Sequence, residues 1–217
     1  MYRWLRLARI QNVAVSTIGV IVGGWAARGL GFRLPGPAYL LLLLAAASTA
    51  LVTAGGNALN DLLDREGDRT NHPDRPLVTG AIGIGAARGF VVIAFLAAIG
   101  VAIPVIFSAP LVGLLLAVAL AAVLSYEFRF KAVGVLGNLE VAFLTGLVFL
   151  YGAASVGPVL PVASLAGMAF LATLSREVIK DMEDMDGGLG RSTLPRRFGF
   201  GLSAWVARGA SRRGPSR

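Results

Sequence analysis

The chain has 217 residues, 56% of them apolar, and a mean hydropathy of +0.73; soluble domains carry roughly 45–50% apolar residues, so a soluble globular class is excluded. Cysteine is absent and histidine occurs once, as His72, which removes disulfide frameworks, zinc–thiolate centres, thiol nucleophiles and multi-histidine metal sites. The net charge of +8 would suit nucleic acid, but the placement of the basic residues is that of a membrane protein, and no nucleic-acid partner is expected.

A membrane-crossing helix needs roughly 17–25 apolar residues, and six runs qualify, at 10–27, 38–60, 81–103, 109–126, 133–154 and 159–179. Arg3, Arg6 and Arg9 precede the first run, whose basic start and Ala26-Ala27 loosely resemble a signal peptide. Five more runs follow, so it reads as an uncleaved span. Only Arg28 and Arg33 lie in an odd-numbered connection. Arg65, Arg69, Arg75 and Arg88 lie in or beside the second connection, Arg129 and Lys131 in the fourth, and Arg176, Lys180, Arg191 and the tail arginines after the sixth run. Eighteen of the twenty basic residues therefore share one side, which the positive-inside rule makes cytoplasmic, and the twelve acids avoid the other side altogether. Pro35, Pro37, Pro104, Pro110, Pro158 and Pro161 read as punctuation at the ends of the spans. Phe198–Val206 reads as the first half of a seventh span cut short, and 207–217 as a disordered Gly/Ser/Arg tail.

Two acidic clusters stand out, each closing an apolar run. In the first, Asn57, Asp61, Asp64 and Asp68 are spaced i, i+4, i+7, i+11, which places them on one helical face with Asn60 on its flank. In the second, Glu177, Asp181 and Asp184 repeat the i, i+4, i+7 spacing, and Lys180 can pair with Asp184. Carboxylates packed this densely beside a bilayer repel one another and lose solvation. A divalent cation offsets both penalties, and magnesium sites combine a few carboxylates with phosphate oxygens. One or two magnesium ions holding a substrate diphosphate are therefore expected. Asp74, Glu66 and Glu127 read as solvated charges and His72 as a loop residue, while Glu140 is placed to orient Asn138 or line a cavity. The glycines inside the spans, such as Gly19, Gly23, Gly24 and Gly152, read as close-packing positions.

Asn60-Asp61-x-x-Asp64-x-x-x-Asp68, continued by Asn71-x-x-Asp74-Arg75-Pro76-Leu77, resembles the first aspartate-rich motif of the UbiA superfamily of intramembrane prenyltransferases. Arg176-Glu177-x-x-Lys180-Asp181-x-Glu183-Asp184, followed by Gly190-x-x-Thr193-Leu194-Pro195, is similar to the second. Tyr126, Lys131 and Gly137-Asn138 match the loop and helix between them, and Arg9-x-x-Asn12 matches the start, with Ile10 where proline is usual. The resemblance implies an all-α polytopic helical bundle with a central cavity, spanning residues 1–206 and incomplete at its C-terminus. It implies transfer of a prenyl group from an isoprenyl diphosphate to a lipophilic acceptor. Magnesium would be held by Asn60, Asp64, Asp68, Asp181 and Asp184, with Asp61 also in the catalytic set. Arg9, Asn12, Asn57, Asn60, Arg65, Arg75, Tyr126, Lys131, Asn138 and Lys180 would bind substrate. The second motif most resembles the archaeal-type branch, which makes digeranylgeranylglyceryl phosphate for ether lipids.

Two departures are visible. A further aspartate usual in motif two is replaced at Gly188, with Asp186 nearby, and the family has more helices than this chain supplies. An aromatic acceptor, 4-hydroxybenzoate or a naphthoate, stands as the alternative, and a non-catalytic remnant is a further reading. A cation transporter is the rival from another class, but it would carry its acids at mid-span rather than at one end. Apart from substrates and membrane lipid, no obligate protein partner is expected.

Overall fold

The protein's computed structural model describes residues 2–29, 36–131 and 134–186. Within them regular structure is helical throughout: α1 Tyr2–Leu7, α2 Ile10–Ala27, α3 Gly36–Leu63, α4 Arg65–Asn71, α5 Ile84–Ser108, α6 Pro110–Ser125, α7 Gly134–Val156 and α8 Ala163–Asp186. A π-helical turn, Tyr126–Phe130, extends α6, and a short 3-10 turn, Leu160–Val162, leads into α8. Among the described residues six helical segments are long and apolar enough to cross a membrane, in agreement with the six runs. The expected seventh span near Phe198, the tail, Gly188 and the continuation of motif two lie outside the described residues.

Three boundaries differ from expectation, each for a local reason. Pro104 does not end the fifth helix but sits inside it. Proline forfeits one i→i−4 bond, and transmembrane helices tolerate this because neighbouring groups re-satisfy the backbone. Here the helix resumes at once, with the Ala109 amide donating to the Val105 carbonyl at 2.8 Å. At its other end α5 begins after Gly83, whose extended ψ of 147° halts the helix three residues past the expected start. The acidic stripe is not one continuous helix either. It breaks at Asp64 (ψ −1°), between α3 and α4, although the Asp64 and Asp68 amides still bond back four residues at 2.9 Å each.

The helices alternate direction. The start of α2, the ends of α3, α6 and α8, and the start of α7 therefore meet at one end of the bundle. Helix α3 packs between α2 and α5, α2 against α7, and α6 bridges α5 to α7, closing a ring, while α8 lies along α7. The core is small-residue and aliphatic: Val20, Leu42, Ala45, Ala98, Val105, Val112 and Ala154 lose nearly all solvent contact.

The α2–α7 crossing is set by glycine. A Cβ on Gly152 would fall 2.7 Å from the Val20 carbonyl carbon, and one on Gly23 would fall 2.8 Å from the Phe149 carbonyl carbon. Each helix therefore lays its backbone directly on the other, as small residues permit inside a membrane. A buried polar seam ties α7 to two further helices. The Tyr151 hydroxyl on α7 donates to Ser48 Oγ on α3 at 3.2 Å, and Ser48 donates to the Ala98 carbonyl on α5 at 2.9 Å. Tyr151→Phe is expected to cost about 1 kcal/mol or less of stability, because such bonds average roughly 0.6 kcal/mol between membrane helices. Denaturation of detergent-solubilised protein by SDS titration checks the value.

Candidate active site

A cavity of about 760 Å³ lies among α2, α3, α6, α7 and α8. Its walls are apolar along most of their length, with Val15, Leu115, Leu116, Val123, Leu144 and Val148. At the end where the helix termini gather, the lining turns polar: Arg9, Asn12, Asn57 and Asn60 on one side, Tyr126 and Glu127 beside them, and Arg176, Glu177 and Lys180 from α8 opposite. Residues of both acidic clusters thus border one chamber.

The first cluster divides its charges among three bases. Asp61, only 3% exposed, accepts from Arg9 at 2.6 Å and from Arg75 at 3.2 Å. Arg75 also pairs with Asp68, itself buried. Asp64 pairs with Lys131 instead, and Asn60 and Glu127 link that pair back to Arg9. Arg9 stands in the left-handed region at φ 50°, uncommon for a residue with a side chain and a conformation that clusters at functional sites. This places its guanidinium on α3, where it also donates to Asn60 Oδ1 at 3.0 Å. The Asn57 amide donates to the Ala8 carbonyl at 2.8 Å and accepts from Asn12 at 3.5 Å, fastening the start of α2 to α3.

The second cluster is reached through α7. Asn138, buried, donates to Asp181 at 2.8 Å. Glu177 pairs with Arg176 at 2.7 Å. The helix continues to Asp186, but the side chain of Asp184, and with it the expected Lys180–Asp184 pair, lies outside the described residues. Of the expected substrate-binding residues, Arg9, Asn12, Asn57, Asn60, Tyr126 and Lys180 line the cavity. Lys131 and Arg75 are held against the acids. Arg65 turns away from the chamber lining, donating to the Leu77 carbonyl at 3.3 Å and lying 3.7 Å from Glu66.

All three acids read as solvated charges are paired, Glu66 with Arg69 at 3.0 Å on the surface, and one of the three is buried. Asp74 is exposed but bonded to Arg6, whose guanidinium holds its carboxyl below the usual range. Glu127 is the larger correction. Its side chain is 4% exposed, lies in the cavity lining, and binds both Lys131 at 3.2 Å and Asn60 at 2.8 Å. The i, i+4 pairing of Glu127 with Lys131 just beyond an apolar run was the available signal; the contact to Asn60, 67 residues away in sequence, left none. Glu140 neither orients Asn138 nor borders the chamber: it accepts from Ser125, and its second oxygen is buried without a partner among the described residues.

The donor chemistry suits magnesium. Asp64 and Glu127 bring two carboxylates to a single ammonium, that of Lys131, and Asn60 bonds to the second of them. A cation already stands among hard oxygen ligands there, the type a divalent ion requires. Among the described residues no three acidic or histidine side chains converge on one point.

An apolar chamber inside a six-span helical bundle, with paired acids and bases gathered at one mouth, defines a polytopic membrane protein built to hold a lipid-like molecule by a charged head. The chain belongs to the UbiA prenyltransferase family, whose model matches residues 16–210. It is 39% identical over 214 residues to the digeranylgeranylglyceryl phosphate synthase of Methanopyrus kandleri, covering 95% of this chain and 73% of that protein. To the protein of that name from Methanoculleus marisnigri it is 38% identical over 200 residues, covering 90% of this chain and 68% of the other. A solved structure of a digeranylgeranylglyceryl phosphate synthase superposes with a TM-score of 0.83 at 29% identity, covering 96% of this chain and 72% of that one. A UbiA homolog from Archaeoglobus fulgidus, solved with DMAPP and Mg2+, shares the fold at a TM-score of 0.72 and 22% identity, over 96% and 74% of the two chains.

Proposed function

We propose that this chain transfers a geranylgeranyl group from its diphosphate to the hydroxyl of geranylgeranylglyceryl phosphate, in ether-lipid synthesis, with magnesium as cofactor. The carrying observation is the chamber itself: an apolar cavity of some 760 Å³ leading to a mouth bordered by Asn57 and Asn60 of the first cluster and Glu177 and Lys180 of the second. The relatives named digeranylgeranylglyceryl phosphate synthase support the choice of acceptor. By the positive-inside rule the acidic end faces the cytoplasm, where soluble diphosphates are made.

On this reading Asn60, Asp64 and Asp181 hold magnesium, with Asp68 and Asp184 completing the set. The metal neutralises charge on the departing diphosphate, a Lewis-acid role worth several kcal/mol. Lys131 and Lys180 meet phosphate oxygens as point charges, and Arg9, at the rim, offers a planar two-pronged contact. Tyr126 presents its ring to the allylic carbon, where a π-face stabilises positive charge. The walls exclude water while the allylic carbon–oxygen bond breaks and the acceptor hydroxyl oxygen forms the new ether bond, its proton passing to the departing diphosphate.

Protein reconstituted in vesicles, given labelled geranylgeranyl diphosphate and magnesium, is expected to label geranylgeranylglyceryl phosphate and to stop when the metal is chelated. Transfer to 4-hydroxybenzoate alone would replace the acceptor. Transfer to neither would overturn the proposal.

A further inference from the structure

We infer that Glu127 is a positioning residue, whose two carboxylate oxygens hold the Asn60 carboxamide and the Lys131 ammonium in register on opposite sides. The inference rests on the proposed function for what those two groups then do.

The geometry is specific. Glu127 Oε1 accepts from Asn60 Nδ2 at 2.8 Å, and Oε2 accepts from Lys131 Nζ at 3.2 Å. Asn60 Oδ1 accepts from Arg9 at 3.0 Å, so the amide is clamped at both ends and only one of its two flips satisfies both partners. The carboxylate is 4% exposed and the Lys131 side chain 15%, so water competes little for either. Buried charge persists where it is paired and hydrogen-bonded on each oxygen, and Glu127 meets that condition with these two groups.

The backbone explains how one side chain reaches both. Tyr126–Phe130 is wound as a π-helix, closed by the Lys131 amide on the Tyr126 carbonyl at 2.9 Å. Single π turns sit inside or beside α-helices at functional sites. The wider turn brings Glu127 and Lys131 together toward α3 while Tyr126 still borders the chamber.

Two consequences follow. Glu127 shares the ammonium with Asp64, which weakens the lysine's hold on that carboxylate and leaves it available to a metal. It also turns the Asn60 oxygen, rather than the nitrogen, away from itself. Glutamine at 127 can still accept from Asn60, but it then points an amide N–H at the ammonium and releases Lys131 onto Asp64 alone. Aspartate keeps the charge on a shorter arm.

The test uses the full chain in nanodiscs. Mn2+ binding is followed by electron paramagnetic resonance without substrate, and binding of inorganic diphosphate by calorimetry with Mg2+ present. Losing a partner that orients a metal ligand typically costs 10–100-fold in affinity. Glu127→Gln is therefore expected to weaken Mn2+ binding about tenfold, and to raise KM for the prenyl diphosphate more than it lowers kcat, with Glu127→Asp recovering part of both. Unchanged Mn2+ and diphosphate binding in Glu127→Gln would overturn the inference. So would equal losses in Glu127→Gln and Glu127→Asp accompanied by a matching fall in melting temperature, which would mark a purely structural role. Wild-type protein that binds Mn2+ and diphosphate but transfers no prenyl group would refute the proposed reaction and leave the role of Glu127 standing.

Discussion

Asp64→Ala is expected to reduce prenyl transfer by on the order of 10³ or more while leaving the melting temperature nearly unchanged, whereas Asp61→Ala should lose activity and stability together. The two residues lie three positions apart in one motif, yet their surroundings differ. Asp64 retains 31% side-chain exposure, and its base, Lys131, keeps Glu127 as a partner when Asp64 is gone. Little is left unpaired, so the loss falls on transition-state charge stabilisation, where several kcal/mol correspond to about three orders of magnitude in rate. Asp61 is 3% exposed and joins Arg9 to Arg75. Its removal leaves two guanidinium groups facing each other over a cavity. Breaking a fully buried pair costs about 3–5 kcal/mol. Arg9 and Arg75 keep 33% and 21% exposure, which lowers the expected cost to about 2 kcal/mol by solvent screening. Initial transfer rates in vesicles, set beside thermal unfolding in detergent, separate the two variants. Equal melting temperatures would remove the structural role given to Asp61.

Gly152→Val should be the most damaging substitution far from the acids. Even a methyl group there meets the Val20 carbonyl, and the obstacle is backbone, which cannot rotate aside as a side chain can. Overpacking a core typically costs 1–3 kcal/mol, and separating two helices along their contact places this change at about 3 kcal/mol or above. Gly24→Ala is the control: its new methyl would meet the Leu42 side-chain methyls, which can rotate, and the Gly152 carbonyl oxygen only at 3.2 Å. The yield of monodisperse protein and its melting temperature report the difference. Equal behaviour of the two variants would show that the backbone contact does not govern the packing.

The spans were legible because a bilayer demands long uninterrupted apolar runs, and the side on which the acids gather followed from where arginine is absent. The chemistry of the first cluster was legible in type but not in pairing. Spacing placed Asp61, Asp64 and Asp68 on one face, while the bases that divide them come from the amino terminus (Arg9), a loop (Arg75) and a π turn (Lys131), and no local pattern links these. Pro104 was misread because a proline that ends a helix and one that a membrane helix absorbs look alike in sequence. Glu127 was misread because an acid beside a tyrosine at a helix end is ordinary on the surface; only the fold brings Asn60 over it.

The glycine contact between α2 and α7 also bears on how the chamber can evolve. Gly19, Val148 and Phe149, at that crossing, form the chamber's far end, opposite the acids. Gly19 there meets the Val148 and Phe149 side chains, but at Gly23 and Gly152 main chain rests on main chain, so the two helices cannot part to let the far end retreat from a longer tail. Any change in how long an isoprenoid fits must come from exchanging side chains on the opposing walls, such as Leu115 and Ala119 on α6 or Ala172 and Thr173 on α8. The crossing works as a fixed ruler, and selection can adjust only the stops set along it.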